Sequence, residues 1–254
     1  MPKNIHIAVL DVDIPARQLY EARGLCSAHF RDILHETASR LNEGHPANPF
    51  NVKLLRGHVS ADHPPVAKPI DAILITGGSP GVYEMSHSPW MQILSKFIKK
   101  VFDEYPEVRI LGTCFGHQLI GEVGIHTVQM EQEFLKAFPH ALGHLPKGQL
   151  RIQMFHGDRV MAVEKGTPRP PERISSCLAP CAVDQCRVLS VQGHYEMDAF
   201  GMKKMCVESA PSFGWKESKL SLFLEQVGPD LKERQDDAKA FATAVVCFLA
   251  ELEQ

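Results

Sequence analysis

The chain has few of the features that mark membrane or nucleic-acid-binding proteins. No apolar run approaches the roughly 20 residues that a membrane-spanning helix needs. Its 27 lysines and arginines against 30 aspartates and glutamates leave a net charge of −3, and the basic residues form no cluster. Such a chain offers no positive patch to nucleic acid or to an anionic membrane. We therefore expect neither among its partners.

The seven cysteines form no disulfide framework, because their number is odd and their spacing irregular. This usage is typical of a reducing compartment, so we expect a cytoplasmic protein. We interpret the apolar run at 6–10 as a first strand rather than a signal peptide.

Cys177, Cys181 and Cys186 lie close together, but no second CxxC or histidine pair accompanies them as in structural zinc sites. We interpret them as loop thiols and predict neither a metal nor a cofactor.

Short apolar runs alternate with amphipathic stretches along the chain. The runs predicted as buried parallel strands are 6–10, 52–57, 71–78, 108–114, 150–158 and 187–194. The predicted helices are 15–41 with a break at Gly24, 88–105 beginning at Ser88 and Pro89, and 229–252. This alternation predicts an α/β fold with a doubly wound, mostly parallel sheet and helices on both faces. The proline-rich patches are too short for linkers, so we predict a single domain over 1–254.

Residues 112–118, "GTCFGHQ", place a cysteine between two glycines directly after a predicted strand. Most cysteines are small buried hydrophobes. Gly112 and Gly116, however, suit a tight turn from strand to helix, where larger side chains would clash. The N-terminus of the following helix offers free N–H groups and a positive dipole end, and both favour a thiolate. The pattern therefore indicates that Cys114 is an exposed, activated nucleophile.

A base and an acid for this nucleophile follow the last predicted strand. His194 and Glu196 are two residues apart, so in an extended segment their side chains point the same way. Glu196 can then orient His194 towards Cys114, as a thiol nucleophile requires. An α/β-hydrolase elbow also fits the pattern around Cys114. That fold places its acid before its histidine, which argues against it here.

Paired glycines end another predicted strand at the same edge of the sheet. Gly77 and Gly78 in "ITGGSPGVYE" (75–84) allow backbone N–H groups to approach a substrate oxygen closely, as an oxyanion hole requires. The spacing of a dinucleotide fingerprint is absent. Taken with the cysteine, histidine and glutamate, the loop indicates an acyl-transfer site.

The chain resembles the class I glutamine amidotransferase domain, with relatives among stand-alone fungal amidotransferase-like proteins and plant γ-glutamyl peptidases. The blocks that carry the resemblance are "GTCFGHQ", "ITGGSPGVYE", "FHGDRV" and "VQGHYE". The resemblance implies a flavodoxin-like sheet and a Cys114 that attacks a γ-glutamyl amide. His194 would be the general base and acid, and Glu196 would orient it. The N–H groups of Gly78 and Phe115 would hold the oxyanion.

The resemblance also implies a substrate site. Gly77 and Gln118 would contact the bound glutamyl group. His156 and Asp158 match a family block and are expected to be structural. The implied partners are a small-molecule γ-glutamyl substrate and a separate synthase that accepts ammonia, because no acceptor domain is fused to this chain.

The chain departs from the family pattern in three places. Tyr195 stands where the family usually has proline, which we expect to loosen the turn that carries the acid. Residues 174–186 are unlike the family. After Gly121 a segment of the family pattern is missing, and a parallel crossover normally needs a dozen or more residues. We therefore predict a shortened helix after the nucleophile, a displaced or edge strand at 124–130, and poor affinity for glutamine.

Three functions remain open from the sequence. The chain would act as a glutaminase that supplies ammonia to a separate synthase, for example in a biosynthetic pathway. Alternatively, it would act as a γ-glutamyl peptidase on glutathione-type conjugates. In a third reading it is a non-catalytic relative that has lost its pocket and binds a partner.

Overall fold

A parallel sheet forms the centre of the fold. The computed structural model describes residues 3–44, 49–57, 70–116, 128–129, 132–145, 149–153, 155, 187–191, 193–228 and 236–252. The strands are β1 (Lys3–Leu10), β2 (Phe50–Gly57), β3 (Ala72–Ile75), β4 (Arg109–Thr113), β5 (Val128–Gln129), β6 (Gln149–Leu150) and β7 (Val188–Val191). Five of them pair in parallel in the order β2-β1-β3-β4-β7, while β5 and β6 form a separate antiparallel pair. The carboxyl ends of the five parallel strands therefore lie at one edge.

Helices cover both faces of this sheet. They are α1 (Arg17–Arg23), α2 (Cys26–Gly44), α3 (Pro89–Glu104), α4 (Gln132–Ala137), α5 (Pro139–Leu142), α6 (Ala199–Ser209), α7 (Glu217–Val227) and α8 (Ala238–Ala250), with a 3-10 helix at Val82–His87. Helices α2 and α8 contribute to the apolar cluster on one face of the sheet, and α3 contributes to the cluster on the opposite face. The architecture is the predicted α/β doubly wound sheet.

Strand alternation divides the core between the two faces. In β1, Ile5, Ile7 and Val9 belong to the cluster with α2 and α8, whereas Ala8 and Leu10 belong to the cluster with α3. Successive side chains of a strand point to opposite faces, so a strand covered on both faces must be apolar at consecutive positions. This is why these strands were recognisable as uninterrupted apolar runs.

The three predicted helices are present, with boundaries shifted by one to three residues among the described positions. Gly24, with φ of 80°, separates α1 from α2, and Pro89 occupies the first turn of α3. Helices α6 and α7 were missed by the sequence analysis. They form a hairpin with its own apolar cluster around Met197 and Met202, and Asp198 caps α6 by accepting a hydrogen bond from the Gly201 N–H at 2.9 Å.

The region after the nucleophile differs from the main sheet. Val128–Gln129 pairs with Gln149–Leu150 and is not part of the five-stranded sheet, so this strand is displaced as expected. Of the strand predicted at 150–158, the described part shows only the end of β6 and an isolated bridge between Gln153 and His194. The helix predicted to be shortened falls on 117–127, outside the described residues, and the single domain stays a prediction. No helix in the described ranges is long and apolar enough to cross a membrane.

Tyr195 anchors the turn between His194 and Glu196 instead of loosening it, so the expectation from the missing proline was wrong. The ring is only 1% exposed and contacts Phe30 of α2 and Phe241 of α8 at centroid distances of 5.3 and 5.2 Å. A large aromatic ring buried between two helices restrains its backbone through packing, where the family's proline does so through its ring.

Truncation of this ring should be costly. We expect Tyr195→Ala to lower the free energy of unfolding by about 3–5 kcal/mol, because it leaves a cavity between two helices. The matched control is Tyr20→Ala, since Tyr20 is 46% exposed and its loss should cost less than about 0.5 kcal/mol. Urea denaturation of both variants measures the difference. Equal losses would show that the Tyr195 ring does not anchor the turn.

Candidate active site

Cys114 lies at a strained turn where β4 ends. Its φ of 49° is in the left-handed region, which costs a non-glycine residue of the order of 1–3 kcal/mol. The backbone N–H of Cys114 donates to the carbonyl oxygen of Val191 at 2.9 Å, which continues the β4–β7 pairing by one residue. A helical turn begins at Phe115. The structure thus shows the elbow that the two glycines indicated.

The second glycine of the elbow packs against the neighbouring strand. A Cβ built on Gly116 would collide with the carbonyl oxygen of Ile75 and lie 2.8 Å from its Cβ. The Gly116 N–H also donates to the Thr76 carbonyl oxygen at 3.3 Å. The helix after Cys114 therefore begins directly on the end of β3, which requires glycine at this position.

Cys114 is covered, and the expectation of an exposed sulfur was wrong. The residue is only 4% exposed. Its Sγ lies 3.8 Å from the carbonyl oxygen of Phe155, a residue that the sequence analysis did not identify. The glycine loop after β3 covers it from another direction, because a Cβ built on Gly77 would lie 3.4 Å from the Cys114 Cβ.

His194 and Glu196 form a buried pair beside the cysteine. Nδ1 of His194 donates to Oε1 of Glu196 at 2.8 Å, and both residues are 5% exposed. The His194 N–H donates to the Gln153 carbonyl oxygen at 2.8 Å, which fixes the backbone. A side-chain hydrogen bond with Cys114 also raises the pKa of His194, which links the imidazole to the thiol. The three predicted chemical groups are therefore connected in the order cysteine, histidine, glutamate.

The environment favours the charged form of His194. Burial lowers the pKa of His194, but the Glu196 and Cys114 charges and hydrogen bonds to both raise it further, so it lies well above its ordinary value. By contrast, burial lowers the pKa of His29, the neighbouring histidine on α2, despite the opposing charge of Glu196. Among the described residues, His29 has no hydrogen-bond partner for either ring nitrogen, nor does Glu196 for its Oε2. Because burial favours the neutral form of His29, the positive charge that balances the Glu196 carboxylate is that of His194.

The glycine loop closes the site over the imidazole. A Cβ built on Gly77 would lie 2.8 Å from Cε1 of His194, so no larger residue fits here without displacing the ring. The loop is held by Thr76, whose hydroxyl donates to the Gly77 carbonyl oxygen at 3.1 Å and accepts from the Val12 N–H at 3.1 Å. Asp13 accepts from the Ser79 N–H at 2.9 Å. These bonds tie the loop to the end of β1.

The two predicted oxyanion donors are neighbours. A Cβ built on Gly78 would lie 3.8 Å from the Phe115 Cβ. Neither backbone N–H has a hydrogen-bond acceptor within the described part of the chain. Two free N–H groups beside a nucleophile can stabilise negative charge on a carbonyl oxygen.

The structure thus brings together every predicted site residue that it describes. Gln118, His156, Asp158 and the three loop cysteines lie outside the described residues. In the ranges described, no group of three or more metal-ligating side chains is present. The sequence analysis missed an ion pair close to the site. Arg23 donates two hydrogen bonds, at 2.8 and 2.9 Å, to the carboxylate of Asp198, which follows Glu196 by two residues. No local sequence pattern links Arg23 to Asp198.

Comparisons with known proteins point to one class. A glutamine amidotransferase-like protein of Schizosaccharomyces pombe is 30% identical over 132 residues, which cover 49% of this chain and 50% of that protein. The match thus spans about half the length of this curated relative. A crystal structure of a glutamine amidotransferase from Thermotoga maritima matches with a TM-score of 0.55 at 15% identity, over 98% of this chain and 99% of that one. No protein-family profile matches the chain.

These comparisons agree with the motifs and the sheet. The structural match shows that the chain has the α/β, flavodoxin-like fold of a glutamine amidotransferase. Together with the curated relative, it supports the class I glutamine amidotransferase-like family that the sequence resembles.

A methyl group on the glycine loop should disable the site without unfolding the chain. We expect Gly77→Ala to lower kcat/KM for a γ-glutamyl amide by about 100-fold, because the new Cβ displaces His194 and misplaced catalytic groups lose rates of this order. Gly44→Ala is the control, since Gly44 is helical and has no heavy atom within 4 Å of its built Cβ. Steady-state kinetics and thermal melts of both variants test this. Normal kinetics in Gly77→Ala would contradict the geometry.

The raised pKa of His194 predicts a pH-dependent stability. A folded pKa above the unfolded value of about 6.5 gives a contribution that is complete below pH 6.5 and is lost as the pH rises through the folded pKa. We expect the wild type to lose stability relative to the double variant His194→Gln/Glu196→Gln as the pH rises from 6 to 9. Denaturation at each pH measures this. A relative gain with rising pH would contradict the raised pKa.

Proposed function

We propose that this chain is a thiol-dependent hydrolase or transferase of γ-glutamyl amides. The observation that carries the proposal is the buried chain of contacts from the sulfur of Cys114 through His194 to Glu196. Gly78 lies next to Phe115, the residue after Cys114, and the N–H groups of both are without an acceptor in the described part of the chain, so they are available to an oxyanion as acyl transfer requires. The similarity to glutamine amidotransferase-like proteins supports a γ-glutamyl amide as the substrate class.

The proposed reaction proceeds in two halves. His194 already carries the proton that Cys114 gives up, in line with its raised pKa, so Sγ attacks the δ-carbonyl carbon as a thiolate, and the oxyanion accepts hydrogen bonds from Gly78 and Phe115. The C–N bond then breaks, and the leaving amine takes the proton from His194. Neutral His194 takes a proton from water, which attacks the thioester; the C–S bond breaks, the sulfur leaves as a thiolate beside the recharged imidazolium, and glutamic acid is released and loses its proton to solvent. Glu196 holds the imidazole through Nδ1 in both halves.

The fate of the leaving amine separates the candidate activities. If the amine is ammonia, the protein is a glutaminase that supplies a separate synthase. If the amine is an amino acid or peptide, the protein is a γ-glutamyl peptidase. A non-catalytic relative would retain the three side chains without turnover. Product analysis with glutamine and a γ-glutamyl peptide side by side distinguishes these outcomes.

Cys114 should be essential and selectively reactive. We expect Cys114→Ala to lower kcat by at least about 10⁴-fold with an unchanged fold, because loss of a nucleophile removes most of the rate advantage of such a unit. A chloromethyl ketone analogue of glutamine should label the wild type and the control Cys247→Ala, but not Cys114→Ala. Intact-mass spectrometry reads the labelling. Turnover by purified Cys114→Ala at the wild-type rate would refute the assignment.

Glu196 should contribute less to kcat than His194 does. Glu196→Gln keeps an acceptor for Nδ1 but loses the charge that supports the imidazolium, whereas His194→Ala removes the group that carries the proton. We expect both variants to lose activity, and kcat of Glu196→Gln to exceed that of His194→Ala by tenfold or more. Steady-state kinetics above and below pH 7 test the order. Equal losses would mean that Glu196 does more than orient the ring.

A further inference from the structure

A cluster of aromatic rings begins at Phe155, whose backbone touches Cys114, and reaches the protein surface at Phe213. The carbonyl oxygen of Phe155 lies 3.8 Å from Sγ, and the Phe155 ring contacts Trp215 and Phe213 edge-on at centroid distances of 6.2 and 6.4 Å. Trp215 and Phe213 stack on each other at 5.4 Å with 19° between their planes. These three residues form an apolar cluster, the aromatic wall, which is linked to the nucleophile through the backbone of Phe155.

The aromatic wall is fixed from within and bare on its outer side. The Trp215 ring packs edge-on against Phe223 of α7 at 4.7 Å, and the backbone N–H of Trp215 donates to the Ala210 carbonyl oxygen at 2.9 Å. Packing therefore holds the inner ring in place. Phe213 is 55% exposed, although it belongs to a stack of large rings. A well-packed, solvent-facing stack that contacts the residue covering the thiol is suited to binding a flat apolar group.

A positive charge lies beside the aromatic wall. The ammonium of Lys219 is 5.5 Å from the ring centroids of both Trp215 and Phe223, and the residue is exposed. No carboxylate of the described residues forms a salt bridge with it, although several exposed lysines elsewhere have such partners. Ring and charge together match a ligand that carries an aromatic group and a carboxylate.

On the basis of the proposed function, we propose that the aromatic wall and Lys219 bind the leaving group of a γ-glutamyl dipeptide whose second residue is aromatic. The leaving amine is bonded to the carbon that Cys114 attacks, and the proposal places its substituents on the side of the sulfur where Phe155 lies. Its side chain stacks on Phe213, and its α-carboxylate meets Lys219. Hydrolysis consumes water and releases glutamate and the aromatic amino acid. The leaving group of glutamine is ammonia, which is too small to contact the aromatic wall, so the wall does not increase kcat/KM for glutamine.

The experiment compares the kcat/KM values of the full chain for γ-glutamylphenylalanine, γ-glutamylglycine and glutamine. We expect the wild type to prefer γ-glutamylphenylalanine over γ-glutamylglycine by about tenfold or more, the upper range for an aromatic contact. Phe213→Ala should reduce this preference roughly three- to tenfold, with Phe213→Leu intermediate. The matched control is Phe102→Ala, because Phe102 is 49% exposed near the end of α3 and should leave the preference unchanged.

A second variant tests the charge. Lys219→Met should lower kcat/KM for γ-glutamylphenylalanine but not for γ-glutamylphenethylamine, which lacks the carboxylate. Equal wild-type values for the two dipeptides, or an equal loss for both in Phe213→Ala, would overturn the aromatic subsite while leaving the proposed function intact. Absence of turnover of every γ-glutamyl amide, together with no labelling of Cys114 by the glutamine analogue, would overturn both proposals.

Discussion

The candidate site depends on the parallel pairing of β4 with β7. This pairing ends with Thr113 opposite Val191 and continues through the hydrogen bond from the Cys114 N–H to the Val191 carbonyl oxygen. Because both strands run in the same direction and end at the same level, the residues that follow them meet. Cys114 and His194 follow different strands and are 80 positions apart in the sequence. Their contact is set by hydrogen bonds of the sheet rather than by any local preference of the chain.

Close packing around this contact compensates for its cost. Cys114 has a strained backbone and His194 and Glu196 are buried charged groups, and neither arrangement is stable in isolation. Hydrogen bonds of the Cys114 and Gly116 N–H groups hold the strained elbow in place. The Tyr195 ring packs between α2 and α8 and so anchors the turn that carries Glu196. Gly77 then closes the space above the imidazole, where a single additional carbon atom would collide with the ring. The same contacts that stabilise the fold therefore position the reactive atoms.

Much of the sheet and the site could be predicted because both depend on short patterns. Strands buried on both faces are apolar at every position, and the residues after them are the ones exposed at the reactive edge. The elbow glycines, the His194–Glu196 spacing and the Gly77–Gly78 pair are local signals of this kind. Helices α6 and α7 were missed because α6 buries only three residues and α7 none, so neither carries the broad apolar face of a core helix. The Tyr195 anchor was misjudged because its partners, Phe30 and Phe241, lie on distant helices.

The sequence by itself determined the α/β fold class, the five strands of the parallel sheet with helices α1, α2, α3 and α8, and the residue types that carry the proposed chemistry. It determined them because periodicity, glycine positions and side-chain chemistry are properties of neighbouring residues. The tertiary structure alone decided that the sulfur is covered, that Phe155 lies against it, and that aromatic rings extend from there to the surface. These are contacts between distant segments, and their geometry follows from how the α6–α7 hairpin packs beside the sheet edge, which no local pattern encodes.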